Sequence, residues 1–386
     1  MTRGLHGLTA PTGQAVLRSF LPALAAALDG VGPALLPLPT GGSRDGVVTA
    51  LRPDLPLEQD DVALVAPTSG STGAPKGALL TADALRFAAR ATHDRLGGPG
   101  QWLLAMPVTH IGGIQVLVRA LVARVRPVVL DLYGGFDVQA FAAAAAAMDD
   151  RVPRYVSLVP TQVRRLLDAG VDVGRFDAVL VGAAAFPAEL RRRCGEKGWR
   201  VVETYGMSEV CGGVVYDGHP LDGVDVSLVD GRVTIGGPTV FAGYRLRPDL
   251  TAGALVDGRH VTQDLGRLDD EGRLHVLGRA DDVVISGGVN VAAGHVERVL
   301  SGHPGVAGCA VVGRPDEEWG ERVVAVVQPT DPASPPTVED LRAYAATLLD
   351  RAELPREVVV LGMLPMLASG KPDKDAVRTL VTGVAR

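Results

Sequence analysis

The chain has 386 residues, with 38 lysines and arginines against 44 aspartates and glutamates, a formal net charge of -6 and a pI of about 5.8. That balance gives no electrostatic case for binding nucleic acid, and 47% hydrophobic with 21% charged residues excludes a disordered chain. At roughly 100–200 residues per domain, two or three domains are expected.

In chain order, residues 18–28 read as a helix, followed by a segment rich in Pro and Gly up to Pro56. Residues 62–66 form a short β-type run that meets a Gly, Ser and Thr loop, and residues 81–95 are helical. Strand-like runs at 102–106, 128–132, 155–159 and 178–181 alternate with helical stretches at 113–123, 138–148 and 160–169. That alternation predicts parallel βαβ units. From 224 to 277 the texture changes to short alternating segments, 226–229, 232–235 and 273–277, separated by Asp-Gly or Glu-Gly turns. These predict antiparallel hairpins in a small barrel-like part. Beyond Arg279 a helix at 294–300, strands at 307–312 and 322–328, a helix at 338–349 and a strand at 358–361 make a compact α+β domain. The fold class expected is α/β: a large first domain over residues 1–280 and a small one over 281–386, divided at the Gly278-Arg279-Ala280-Asp281-Asp282 segment.

No stretch approaches the roughly 20 apolar residues a spanning helix needs, and residues 1–10 lack the apolar run of a signal peptide. Cys194, Cys211 and Cys309 are scattered, which suits a reduced cytoplasm better than a disulfide framework. The eight histidines form no zinc motif. Only four basic residues are lysine: Lys76, Lys197, Lys371 and Lys374. A lysine kept in so arginine-rich a chain marks positions that want a compact point charge rather than a planar fork.

Lys76 stands in such a place. Residues 68–77 read Thr68-Ser69-Gly70-Ser71-Thr72-Gly73-Ala74-Pro75-Lys76-Gly77, directly after a predicted strand. Glycines let the backbone curl and turn its N–H groups toward an anion, and the hydroxyls of Ser69, Ser71 and Thr72 add donors. The set suits a polyphosphate. It is not a Walker A loop, because glycine follows the lysine and proline precedes it.

This run resembles the phosphate-binding motif of the adenylate-forming superfamily, which includes acyl- and aryl-CoA synthetases, peptide-synthetase adenylation domains and luciferases. Other motifs of that family follow in order. Glu203-Thr204-Tyr205-Gly206-Met207-Ser208-Glu209 is similar to the aromatic-Gly-x-[Ser/Thr]-Glu motif. The resemblance implies that Tyr205 packs on adenine beside Gly206, that Ser208 bonds the α-phosphate, and that Glu209 holds Mg²⁺. A carboxylate is a suitable hard ligand for that ion, and an aromatic face suits any base. Gly182, Ala183 and Ala184 resemble the small-residue adenine loop, with Ala183 where a glycine is common. Asp264 and Arg279 match the family's ribose-binding pair, Asp281 its hinge, and Gly287 and Gly288 the loop that meets the pantetheine arm of CoA. Residues 365–371, ending in Ser-Gly-Lys371, resemble the motif of the catalytic lysine, whose ammonium stabilises charge in the adenylation transition state.

The family's substrates are ATP with Mg²⁺, a small carboxylic acid and, as co-substrate, CoA. Met106 to Gly113 resembles the motif whose histidine, here His110, lines the acid pocket; Arg119 follows nine residues later in an apolar helix. A guanidinium there suits a second anionic group on the acid. This arrangement, with residues 205–224, resembles the compact actinobacterial o-succinylbenzoate–CoA ligases of menaquinone biosynthesis. The resemblance leaves open another carboxylic acid and a carrier-protein thiol in place of CoA. No nucleic acid and no membrane span are expected, and a homodimer is compatible with the sequence.

Overall fold

A computed structural model describes residues 3–41, 43–69, 75–366 and 372–383. Its chain divides into two compact units, one of residues 1–186, 190–227 and 234–262, the other of residues 187–189, 228–233 and 263–386.

The expected βαβ units build a seven-stranded sheet in the first unit. Its order is His219–Pro220, Gly212–Tyr216, Val201–Met207, Ala178–Val181, Arg154–Leu158, Gln101–Leu104, Val128–Val129. The last five are mutually parallel, and Gly212–Tyr216 returns antiparallel to Val201–Met207. Every residue of Ala178–Val181 is buried, as a strand covered on both faces must be. Phe141, Leu166 and Leu190, from the intervening helices, pack with Leu103, Val156 and Val179 in one core. In such a sheet the loops leaving the carboxyl ends of the strands are where ligands bind. Here they carry Gly182, Ser208 and the segment leading to His110.

A second sheet pairs Leu5–Thr9, Ala34–Leu38 and Val62–Ser69 in parallel, with Pro75–Thr81 antiparallel at its end. Two of its strands depart from expectation. Ala34–Leu38 lies in the segment read as irregular, and Pro75–Thr81 in what was read as loop. The first is fully buried, so it has no polar alternation to betray it. The second begins on proline and is held in register by its neighbour, Thr68 facing Lys76. Thr81 then caps helix Ala82–Leu96, its hydroxyl accepting from Ala84 N at 3.1 Å.

The hairpins expected beyond 224 are present, with Leu255–Val256 antiparallel to Arg259–Leu268 and Asp264 opposite Arg279. In the second unit, Val306–Asp316 and Gly320–Pro329 form a long antiparallel pair, and Val283–Ser286 and Glu357–Val360 both pair with the other edge of Gly320–Pro329. Alternate residues serve two cores. Val311, Val323, Ala325 and Val327 meet helices Ala293–Leu300 and Val338–Ala345. Ala310, Val312, Val324 and Val326 meet Val377 and Val381 of helix Lys374–Gly383, which the sequence reading did not anticipate. No helix of the described residues is long and apolar enough to cross a membrane.

Candidate active site

The glycines of the motifs are explained by close backbone approach. A Cβ on Gly206 would lie 1.8 Å from the carbonyl oxygen of Gly212, and one on Gly182 would lie 2.4 Å from Thr204 Oγ1. Gly206 thus lets strand Gly212–Tyr216 fold back against Val201–Met207, so that Ser208 and Glu209 leave the sheet edge in a tight helical turn. Ala183 occupies the left-handed region at φ 68°, and Ala183 and Ala184 are exposed. Tyr205, Ser208 and Glu209 are half-buried.

Lys76 and Glu209, from motifs 133 positions apart, come together through a residue that no motif named. The Tyr244 hydroxyl donates to Glu209 Oε1 at 2.8 Å, and Lys76 Nζ stands 5.4 Å from the centre of the Tyr244 ring. Tyr244 is itself placed by its neighbour. Arg245, its side chain fully buried, donates to the carbonyls of Leu51, Arg52, Leu55 and Pro56 and to Glu58 at 2.7–3.0 Å. All five of its N–H donors are used. Ser69 ends the strand that faces this lysine; Gly70, Ser71, Thr72 and Gly73 lie outside the described residues. Among the described residues there is no cluster of three His, Cys, Asp or Glu side chains that would cage a metal alone. A single carboxylate, hydrogen-bonded on one oxygen, fits Mg²⁺, which is held by one or two carboxylates together with phosphate oxygens.

His110 and Arg119 are not brought together. His110 precedes helix Ile111–Ala123 and is solvent-accessible, yet enough protein surrounds it to push its imidazole pKa below the ordinary value. Arg119 lies two and a half turns on, about 13 Å along the axis. It is only 4% exposed. Its guanidinium stacks 4.7 Å from the Trp102 ring and donates at 3.5 Å to Ser157 Oγ and at 3.4 Å to the Tyr216 hydroxyl. Nε has no partner, and no carboxylate among the described residues pairs with it. Burial pushes its pKa down, with the Tyr216 hydroxyl opposing. Trp102 also donates from Nε1 to His93 Nε2 at 3.1 Å; burial, and then the Arg119 charge, lower the pKa of His93 to about 4. Trp102, Tyr216 and Tyr244 were all missed by sequence reasoning.

In the second unit the expected ribose pair is adjacent. Arg279 NH1 lies 3.7 Å from Asp264 Oδ1, and Arg279 also makes a bidentate pair with Asp281 at 2.8 Å. Gly287 and Gly288, at φ 61° and 78°, form the two-residue turn between Val283–Ser286 and Val289–Ala292, which requires positive φ at both positions. Lys371 lies outside the described residues. Lys374, three residues further on, is largely buried. It pairs with Asp282 and, at 2.7 Å, with Glu297, whose carboxyl burial pushes upward.

Residues 23–247 match the family model of AMP-binding enzymes, and residues 295–371 that of the AMP-binding enzyme C-terminal domain. The chain belongs to the AMP-binding enzymes. It is 44% identical over 389 residues, 99% of this chain and 100% of the relative, to a probable 2-succinylbenzoate–CoA ligase of Mycobacterium tuberculosis. A feruloyl-CoA synthase of an Amycolatopsis species is 34% identical, over 84% of this chain and 71% of the relative. Among solved structures it resembles the Bacillus subtilis o-succinylbenzoate CoA synthetase in complex with its acyl-adenylate intermediate, with a TM-score of 0.77, 26% identity, and 97% and 88% of the two chains covered. That synthetase in complex with ATP and magnesium superposes with a TM-score of 0.71 at 29% identity, over 83% and 71%.

Proposed function

We propose that the chain is an acid–thiol ligase that activates o-succinylbenzoate (2-succinylbenzoate) with ATP and transfers it to CoA, a step of menaquinone biosynthesis. One carboxylate oxygen of the acid attacks the α-phosphorus of ATP, and pyrophosphate leaves. The sulfur of CoA then attacks the acyl carbonyl, its proton is lost, and AMP leaves. The observation that carries the substrate is Arg119, a buried guanidinium with no carboxylate partner among the described residues. A dicarboxylic acid keeps one carboxylate after the other is adenylated, and that second charge meets the arginine's unmet demand.

The other roles follow the motifs. Lys76 and Ser69, with Thr68, Gly70, Ser71, Thr72 and Gly73, hold the phosphates, and Ser208 bonds the α-phosphate. Tyr205, Gly206, Gly182, Ala183 and Ala184 receive the adenine; Asp264 and Arg279 bind the ribose. Glu209 holds the magnesium, which supplies charge neutralisation at the phosphates when bound. His110 borders the acid, and Gly287 and Gly288 border the pantetheine arm. Residues 281–386 form a mobile domain that turns about Asp281, because Lys371 must be present for the first half-reaction and absent when CoA enters. The enzyme works in the cytoplasm, and a homodimer is compatible with it.

An assay of AMP release over a panel of acids, with and without CoA, tests the reading. O-succinylbenzoate should exceed ferulate and other monocarboxylates, and release should depend on CoA; preference for a monocarboxylate would overturn it. Lys371→Ala should abolish pyrophosphate release while leaving most of the thioester step from pre-formed adenylate. Equal loss of both steps would refute the role given to Lys371.

A further inference from the structure

Gln115 lies one turn before Arg119 in helix Ile111–Ala123 and is 0% exposed. Among the described residues, neither its Nε2 nor its Oε1 has a partner. A buried amide with nothing to bond is costly, and an apolar side chain of similar volume would avoid the penalty. Its sequence neighbours Ile114, Val116, Leu117 and Val118 are fully buried as well, so the amide lies in a buried stretch of the helix and no water-facing role accounts for it.

Its location orders it with respect to two other groups. Residues i and i+4 share one helix face, and here that face runs along strand Gly212–Tyr216. A Cβ on Gly212, at the start of the strand, would lie 3.4 Å from Gln115 Cγ. Arg119 meets Tyr216 at the strand's other end. Gly212 follows Glu209 by three residues. From the phosphate-facing turn inward, the polar groups are therefore Ser208 and Glu209, then the Gln115 amide, then the Arg119 guanidinium. O-succinylbenzoate has its polar groups in a matching order: a carboxylate, an aryl ketone and a second carboxylate, the ketone between the other two.

We propose that Gln115 is a second specificity-determining residue, whose side-chain N–H donates a hydrogen bond to the ketone oxygen of the bound acid. This rests on the o-succinylbenzoate reading and adds to it the group that recognises the ketone. A site built to bond a polar atom rejects the analogue that lacks it, because its own group is then left unpaired.

The test uses the full chain, CoA and two acids, o-succinylbenzoate and 4-(2-carboxyphenyl)butanoate, in which a methylene replaces the ketone. The wild type should favour the ketone acid in kcat/KM. In Gln115→Leu, kcat/KM for the ketone acid should fall roughly tenfold or more, while that for the methylene acid stays within about twofold and the KM for ATP does not move. An equal fall for both acids, or no fall for either, overturns the proposal. Should the leucine variant fold poorly, Gln115→Met is read in the same way. A wild type inactive on both acids refutes the substrate reading and this proposal with it. A wild type active on both, whose variants do not discriminate, refutes the role of Gln115 alone.

Discussion

Arg245 and Arg119 are both buried in the first unit, at 1% and 4% exposure, yet their surroundings differ in kind. Arg245 has five N–H donors and five acceptors, one of them the Glu58 carboxylate, whose other oxygen accepts from Leu246 N at 2.7 Å. Arg119 has an aromatic face, two long hydrogen bonds to neutral hydroxyls and an idle Nε. The Tyr216 hydroxyl is also partly engaged: Thr92 donates to Ala88 O, so its 2.9 Å contact with Tyr216 takes the tyrosine's own proton. A buried charge is retained either because the fold satisfies it or because a ligand does. Arg245 belongs to the first case. Its place next to Tyr244 makes it a structural support for the tyrosine that meets both Lys76 and Glu209. Under the substrate reading proposed above, Arg119 belongs to the second.

The largest effect expected is from Arg245→Met. It leaves four carbonyls and Glu58 without their donor and should destabilise the first unit by roughly 3–5 kcal/mol. Urea unfolding measures it. A change below about 1 kcal/mol would mean that the five-acceptor nest is not what holds residues 51–58. Arg119→Met should do the reverse. Stability should change by no more than about 1 kcal/mol, since an unpaired buried charge is exchanged for an apolar chain of similar length. The KM for a dicarboxylic acid should rise roughly ten- to a hundredfold, with little change for a monocarboxylate or for ATP. If Arg119→Met instead destabilises as much as Arg245→Met, Arg119 is a structural arginine and the comparison collapses.

His93 offers a subtler handle on the same cluster. Its Nε2 must stay unprotonated to accept from Trp102, and Arg119 is the cation beside it. The folded-state pKa of about 4 lies below the ordinary 6.5, so between those values the unfolded chain binds more protons. Stability is therefore undiminished above pH 6.5 and falls as the pH drops toward 4, by up to about 1.4 kcal/mol per unit. His93→Gln keeps an acceptor without titrating. Urea midpoints from pH 7 to 4 should fall less steeply in that variant than in the wild type, and parallel curves would remove His93 from the account.

Where the fold was legible, a local pattern dictated it. The apolar run at 178–181 is a strand with those same bounds, because burial on both faces leaves no polar residue inside it. Ala34–Leu38 was hidden by Pro37 in a Pro-rich neighbourhood, although all five residues are buried. Two glycines that the motifs singled out, Gly182 and Gly206, stand where the backbone itself is constrained, each against a strand too close for a side chain. Tyr244, Arg245 and Gln115 carry no such mark. Arg245 finds its acceptors 187 to 194 positions away, and only the folded chain brings them into reach. Gln115 reads as one polar residue in an apolar helix until its missing partners are seen.

Ala183 shows at the backbone what Arg119 shows at a side chain, an unfavourable feature kept beside the candidate site. It is left-handed at φ 68° although it carries a Cβ, which costs roughly 1–2 kcal/mol, and it follows Gly182, whose Cβ position is already taken by Thr204. Ala183→Gly removes that strain but makes the unfolded chain more flexible, a loss of roughly 0.5–1 kcal/mol. The net expectation is a small stabilisation, under about 1 kcal/mol, read as a shift in urea midpoint, with the KM for ATP unchanged. Destabilisation would mean that the exposed Ala183 methyl makes a contact worth more than the strain. A stabilised variant that also loses affinity for ATP would show that the strain holds the adenine loop in its binding shape, and would put Ala183 with Arg119 among the features kept for the ligand.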